Sequence, residues 1–140
     1  MSVRAATPDD ADAIERVRTD TWRVTYRGLM PDGVLDSLGY DGTRRRAGMG
    51  AMGPDRFALV AEHDGEVVGF CYGGPARESD AAHPGEIYAI YVLPSHHGHG
   101  HGSALMRANP RSRARASGGC RTSPRCVARA RRGCAACRRA

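Results

Sequence analysis

Tyr91-Val92-Leu93-Pro94-Ser95-His96-His97-Gly98-His99-Gly100-His101-Gly102-Ser103-Ala104-Leu105-Met106 is the stretch on which the reading of this chain turns. Its first residues close the run Gly85 to Leu93, nearly all β-branched or aromatic, as expected of a central strand covered on both faces. Pro94 ends the strand, a glycine-rich loop follows, and Ser103 to Met106 begins a helix. A glycine-rich loop between strand and helix suits one kind of chemistry. Backbone N–H groups at a helix N-terminus converge on a phosphate only where no side chain intervenes, and the helix dipole adds attraction. Alone the pattern is weak, because turns use the same residues.

The upstream chain supplies the context. Ser2 to Ala6 reads as a short edge strand, and Thr7-Pro8-Asp9-Asp10 provides an N-cap, a first-turn proline and acids for a helix over Pro8 to Trp22. Ala11, Ile14, Val17 and Thr21 form its buried stripe. Met30-Pro31-Asp32 starts a second short helix, with Val34, Leu35 and Leu38 inward and Gly39 at its end. Gly48, Gly50, Gly53 and Pro54 predict a loop or frayed connection. Phe57 to Glu62 and Glu66 to Tyr72 flank His63-Asp64-Gly65 as a β-hairpin, and Gly73 to Pro84 is a polar loop. That order predicts an α+β or α/β layered fold.

Composition changes abruptly after Met106. The first 106 residues carry ten arginines against all fifteen acids, a net −5; the rest carries eleven arginines and no acid, which restores the +6 of the whole chain. Residues 107 to 140 contain no Ile, Leu, Phe, Tyr or Trp, and Val127 is their only branched aliphatic residue. The basic character of the chain therefore belongs to this segment, and reading the whole chain as a nucleic-acid binder would be an averaging error. Nothing approaches the roughly 18 apolar residues of a membrane span, and no secretory signal opens the chain, so a cytoplasmic protein is expected. Cys71 is expected to be a small buried core residue.

With this context the glycine loop resembles the acyl-CoA pyrophosphate loop of the GNAT N-acetyltransferase family. The family pattern is Gln or Arg, two residues, Gly, one residue, then Gly or Ala, after a strand ending Val-x-Pro. Gly100 and Gly102 match the two small positions and Val92-Leu93-Pro94 the strand end, while His97 replaces the usual Gln or Arg. The segment Thr21 to Asp32 and the hairpin of residues 57 to 72 are similar to family elements too, so the resemblance spans about residues 2 to 106.

The resemblance implies the acyl-CoA N-acyltransferase fold, a mixed, mostly antiparallel sheet flanked by helices. It implies acetyl-CoA as cosubstrate and a small-molecule or peptide amine as acceptor. Backbone groups at Ile90, Tyr91 and Val92 would pair with the pantetheine arm, and His97, Gly98, His99, Gly100, His101, Gly102 and Ser103 would hold the pyrophosphate. Glu86 is the candidate general base, since an ammonium must lose a proton before it attacks; an ordinary strand-end acid is the alternative. Trp22 and Tyr26 are candidates for the acceptor site, though helix-face aromatics are commonly core residues. Tyr88 and Tyr91 read as packing residues.

Four histidines within residues 96 to 101 raise the question of a metal site; the alternative, that they simply occupy a tolerant loop, is preferred, and no metal is assigned. Partial protonation there predicts CoA affinity that rises as pH falls. For residues 107 to 140 three readings stand: an out-of-frame translation of a GC-rich gene, a basic arm for nucleic acid, and a cysteine site built from Cys120, Cys126, Cys134 and Cys137. Composition favours the first, and nucleic acid is not an expected partner. On that reading the chain comprises the N-terminal and central part of the domain, 1 to 106, followed by a tail. The family's fifth strand is then missing or out of frame, which removes one wall of the cofactor cleft. The expectation is an acetyltransferase by descent with a retained cofactor half-site and compromised catalysis, and the rival is a noncatalytic protein whose basic tail binds nucleic acid.

Overall fold

The computed structural model describes residues 1–77 and 85–109, and the readings of residues 110 to 140 lie outside the described residues. The elements in order are β1 (Ser2–Ala5), α1 (Ala11–Thr25), α2 (Asp32–Asp36), α3 (Thr43–Gly50), β2 (Phe57–His63), β3 (Glu66–Pro75), β4 (Gly85–Val92) and α4 (His101–Ala108), with 3₁₀ turns at Pro8–Asp10 and Pro94–His96. The strands form one sheet in the order β1-β2-β3-β4, and each neighbouring pair is antiparallel.

Asp10 fixes the start of α1. It accepts from the Thr7 backbone N–H at 2.7 Å and from both terminal nitrogens of Arg4 at 2.8 Å, which ties the helix to β1. The buried stripe is as expected, with Ala11, Ile14, Val17 and Thr21 all at most 8% exposed. α1 and the sheet enclose one cluster of Ile14, Val17, Val60, Val67 and Phe70. On the opposite sheet face Leu59, Ala61, Cys71 and Leu105 form the second, which α4 closes through Leu105. Cys71 is buried, and burial pushes its thiol up to about 11, so it is an inert packing group as expected. The hairpin turn is tight: Asp64 and Gly65 both take left-handed φ, 51° and 82°, as a type I′ turn requires.

Four expectations need correction. Gly48 and Gly50, expected with Gly53 and Pro54 in a loop or frayed connection, instead close α3. Its glycines weaken it intrinsically, but Arg45 and Arg46 bind Glu15 and Asp12 of α1 at 2.8 and 2.9 Å, and Met49 packs on the core. Tertiary contacts override propensity there. The second helix begins at Asp32 and turns only Leu35 fully inward; Val34 is 44% exposed. β4, expected as a central strand, is an edge strand in the described sheet and only half buried, with Ile90 37% exposed. Finally, α4 starts at His101 rather than Ser103 and runs to Ala108, two residues past the compositional break.

Candidate active site

The last two corrections place the site. β3 covers the inner edge of β4, and no strand covers its outer edge among the described residues. An edge strand presents unpaired N–H and C=O groups that an extended amide chain can use. Between Tyr72 and Gly73 the β3–β4 register shifts: Tyr72 faces Ala89 but Gly73 faces Ile87, so Tyr88 is the extra residue of a bulge. A bulge re-aims backbone groups and bends the strand. Close approach of the strands requires glycine here, since a Cβ at Gly73 would lie 2.4 Å from the Glu86 carbonyl oxygen.

At its C-terminal end β4 runs into the glycine loop. Gly98 and Gly100 take φ of 77° and 82°, the left-handed region that side chains disfavour. Gly100 is the N-cap of α4, and the first helical bond runs from Ala104 N–H to Gly100 O at 2.9 Å. The N–H groups of His101, Gly102 and Ser103 thus have no intrahelical acceptor. Ile90, Val92, His96, His97, Gly98, Gly100, His101, Gly102 and Ser103 line one open groove of about 520 Å³. Eight of the ten predicted cofactor-binding residues therefore meet in one place. The other two are turned elsewhere: Tyr91 packs on Phe70 at 5.3 Å on the α1 face, and His99 bonds through Nδ1 to the His97 carbonyl at 2.9 Å. The Tyr91 backbone groups also face β3, since Leu93, two residues on, donates to the Val68 carbonyl at 2.9 Å, so Tyr91 offers no pairing groups to the groove. His97, at the position where the family pattern has Gln or Arg, places Nε2 2.8 Å from the Val92 carbonyl and closes the loop onto the strand end.

At the other end of β4, Glu86 is clamped by Arg77, whose backbone N–H and Nε both donate to the carboxylate at 3.0 Å and whose Nη2 also reaches it. Those bonds hold its carboxyl below the usual range, so it is anionic at neutral pH and weakened as a base. The Arg77 guanidinium also lies 5.0 Å from the Tyr88 ring centroid. Trp22 reaches β4 from α1: its indole N–H donates to the Tyr91 hydroxyl at 3.1 Å, and its ring meets Tyr26 edge-on at 5.1 Å. The predicted acceptor residues thus stand on the α1 side of the same strand.

A second cavity of about 220 Å³ lies between α3 and the sheet, lined among others by Met49, Met52, Arg56, Phe70, Tyr72 and Tyr88. It was not foreseen from the sequence, where Gly48 to Pro54 read as a loop or frayed connection; the Met49 to Met52 spacing was the available signal. Among the described residues no three His, Cys, Asp or Glu side chains are grouped to hold a metal ion. No helix among them is long and apolar enough to cross a membrane.

A model of the acetyltransferase (GNAT) family matches residues 14–122, a span that continues past Met106. The chain is 34% identical to the uncharacterized N-acetyltransferase YuaI of Bacillus subtilis over 110 residues, 76% of this chain and 60% of that protein. It therefore spans about 60% of the length of such relatives. The PaiA N-acetyltransferase of Thermoplasma acidophilum, solved with coenzyme A, shares the fold at a TM-score of 0.63 and 16% identity, covering 82% of this chain and 72% of that one. YncA of Salmonella typhimurium, a putative acetyltransferase solved with acetyl-CoA, gives 0.56 at 27% identity, covering 76% and 58%. A bulged edge strand running into a glycine loop at a helix N-terminus, together with a family match over most of its length, places the chain in the GNAT acetyltransferase family.

Proposed function

We propose that this chain binds acetyl-CoA along the outer edge of β4 and in the glycine loop, and that it serves transfer of the acetyl group to a primary amine. The observation that carries this reading is the continuity of one groove from Ile90 and Val92 to the unbonded N–H groups of residues 101 to 103. An acyl-CoA needs both parts: amide-pairing backbone for the pantetheine arm, and converging donors for the pyrophosphate. The residues present fit it, since the space beyond Gly98 and Gly100 is open within 4 Å of where a Cβ would be. Acetyl-CoA supplies a thioester whose C–S bond breaks as the amine forms its C–N bond, with CoA thiolate leaving.

The chain's own residues then have defined tasks. The β4 edge fixes the arm, and the bulge at Tyr88 turns backbone groups out of the ladder at the acceptor end. Glu86 attracts the ammonium and receives its proton, directly or through water. Because Arg77 occupies that carboxylate but is 68% exposed, an arriving ammonium can displace it. Trp22 and Tyr26 flank the amine's approach, and the cavity bordered by Tyr88 and Met52 has room for an apolar substituent.

The test is acetyl transfer from acetyl-CoA to a panel of amines by the full chain. Glu86→Gln is expected to lower kcat/KM by about 10²-fold, whereas Arg77→Ala, which frees the carboxylate, is expected to lower KM for the amine. Equal activity of Glu86→Gln and the parent chain would remove Glu86 from the reaction. Turnover by neither chain with any amine would remove the transfer reading while leaving cofactor binding to be judged by itself.

A further inference from the structure

His101 opens α4 beside the cofactor groove, yet it is 1% exposed and neither ring nitrogen has a hydrogen-bond partner. A neutral imidazole has one donor and one acceptor nitrogen, and burying both unpaired is unfavourable. The ring is held by packing against other imidazoles: His63 at the end of β2 lies 5.5 Å away, His96 of the 3₁₀ turn 5.7 Å and His99 of the loop 6.4 Å, between ring centroids. His63 and His96 are themselves 5.3 Å apart, and Nδ1 of His63 is also buried without a partner.

The charged and titratable groups that act most strongly on His101 are bases: His63 from β2, His96 from the turn, His99 from the loop and the N-terminal ammonium ahead of β1. The strands β3 and β4 beneath α4 present Cys71 and Val92, neither charged. The nearest carboxylate to the cluster, Asp64, lies 3.5 Å from Nε2 of His63, and its side chain is 89% exposed. The positive end of the α4 dipole adds to the same field.

We infer that His101 is a proton-sensitive joint for the cofactor loop, packed when neutral and expelled when protonated, so that acid opens the start of α4 and releases acyl-CoA. This rests on the acyl-CoA reading of the groove. Burial first, and the neighbouring bases second, hold the imidazole below its ordinary pKa. The sign follows: the neutral packed state is fully available above the ordinary histidine range, and stability falls as pH drops through that range. This is opposite to the sequence expectation, in which partial protonation of the histidines within residues 96 to 101 tightens CoA at low pH.

Calorimetric titration of the full chain with CoA, repeated from about pH 8 to about pH 5.5, is expected to show affinity falling by about fivefold or more. The phosphates of CoA titrate in part over the same range, so His101→Leu is the control: it should be more stable at low pH and lose most of the fall. In parallel, protection of the Ala104 and Leu105 amides from exchange without ligand, with the intrinsic slowing at lower pH divided out, should fall on acidification, which tests the joint even if the variant does not fold. The inference is overturned if affinity rises on acidification, if His101→Leu retains the full fall, or if the exchange is insensitive. It is overturned equally if Zn²⁺ stabilises the parent chain but not His101→Leu, since the cluster would then be a metal site. Absence of CoA binding at every pH with amide protection that falls in acid would instead refute the acyl-CoA reading and keep the joint.

Discussion

Alanine at Gly100 and alanine at Gly102, two residues apart, should have effects of opposite sign on stability. Gly100 holds φ at 82°, while no left-handed φ occurs at Gly102, the second residue of α4. Neither is crowded: a Cβ at Gly100 meets nothing within 4 Å, and one at Gly102 meets only Val92 Cγ2 at 4.0 Å. Sterics therefore drop out, and backbone conformation decides. A side chain in the left-handed region costs about 1–2 kcal/mol, partly offset by the reduced entropy of the unfolded chain, so Gly100→Ala should destabilise by about 1 kcal/mol. Alanine in a helix is favoured over glycine by about 0.8–1 kcal/mol, so Gly102→Ala should be neutral to stabilising by up to that amount. The family pattern, which admits Ala at the second small position, agrees with this asymmetry. Urea unfolding of the full chain and the two variants measures both values. The same variants report on binding: if Gly100→Ala relaxes away from the strained φ, the donors of residues 101 to 103 turn from their common focus, and CoA affinity should fall by about tenfold. Equal stability of the two variants, or a Gly100→Ala protein that binds CoA as the parent does, would refute the conformational argument.

Two further outcomes follow from the packing. Arg4 and the Thr7 amide hold the Asp10 carboxyl at about 2, below its ordinary 3.8. Because the folded value is depressed, the stability it contributes is present above the unfolded pKa and lost as pH falls towards the folded one; after allowing for the 41% exposure of Arg4 it amounts to on the order of 1–2 kcal/mol. Asp10→Asn should therefore lower stability at neutral pH and flatten its pH dependence between about 4 and about 2, read by thermal unfolding across that range. Leu105→Ala removes a fully buried side chain that ties α4 to the sheet and should cost about 2–5 kcal/mol in urea unfolding; a loss under about 1 kcal/mol would mean that α4 is not anchored there.

Where local chemistry decides an element, the sequence was legible. The α1 stripe, the Asp64-Gly65 turn and the strand–glycine–helix junction each rest on residues whose spacing or backbone freedom admits few alternatives. Eight of the ten predicted cofactor residues line one groove for the same reason. The misses are tertiary. α3 is held by ion pairs from Arg45 and Arg46 to acids thirty and more residues away, which no local window contains. The apolar run of β4 suggested cover on both sides, but apolarity does not reveal which edge lacks a neighbour among the described residues. The bulge at Tyr88 depends on the β3 register. His101 had a usable signal: it lies one helical turn before the buried Leu105, on the same face of α4.

Isothermal titration of the full chain with acetyl-CoA at about pH 8, where His101 is neutral, tests the groove most directly. Saturable one-to-one binding is predicted, with a dissociation constant of about 1 µM to 1 mM, weakened in Gly100→Ala. No heat of binding from a chain that unfolds cooperatively would contradict the claim that β4 and the glycine loop form an acyl-CoA groove.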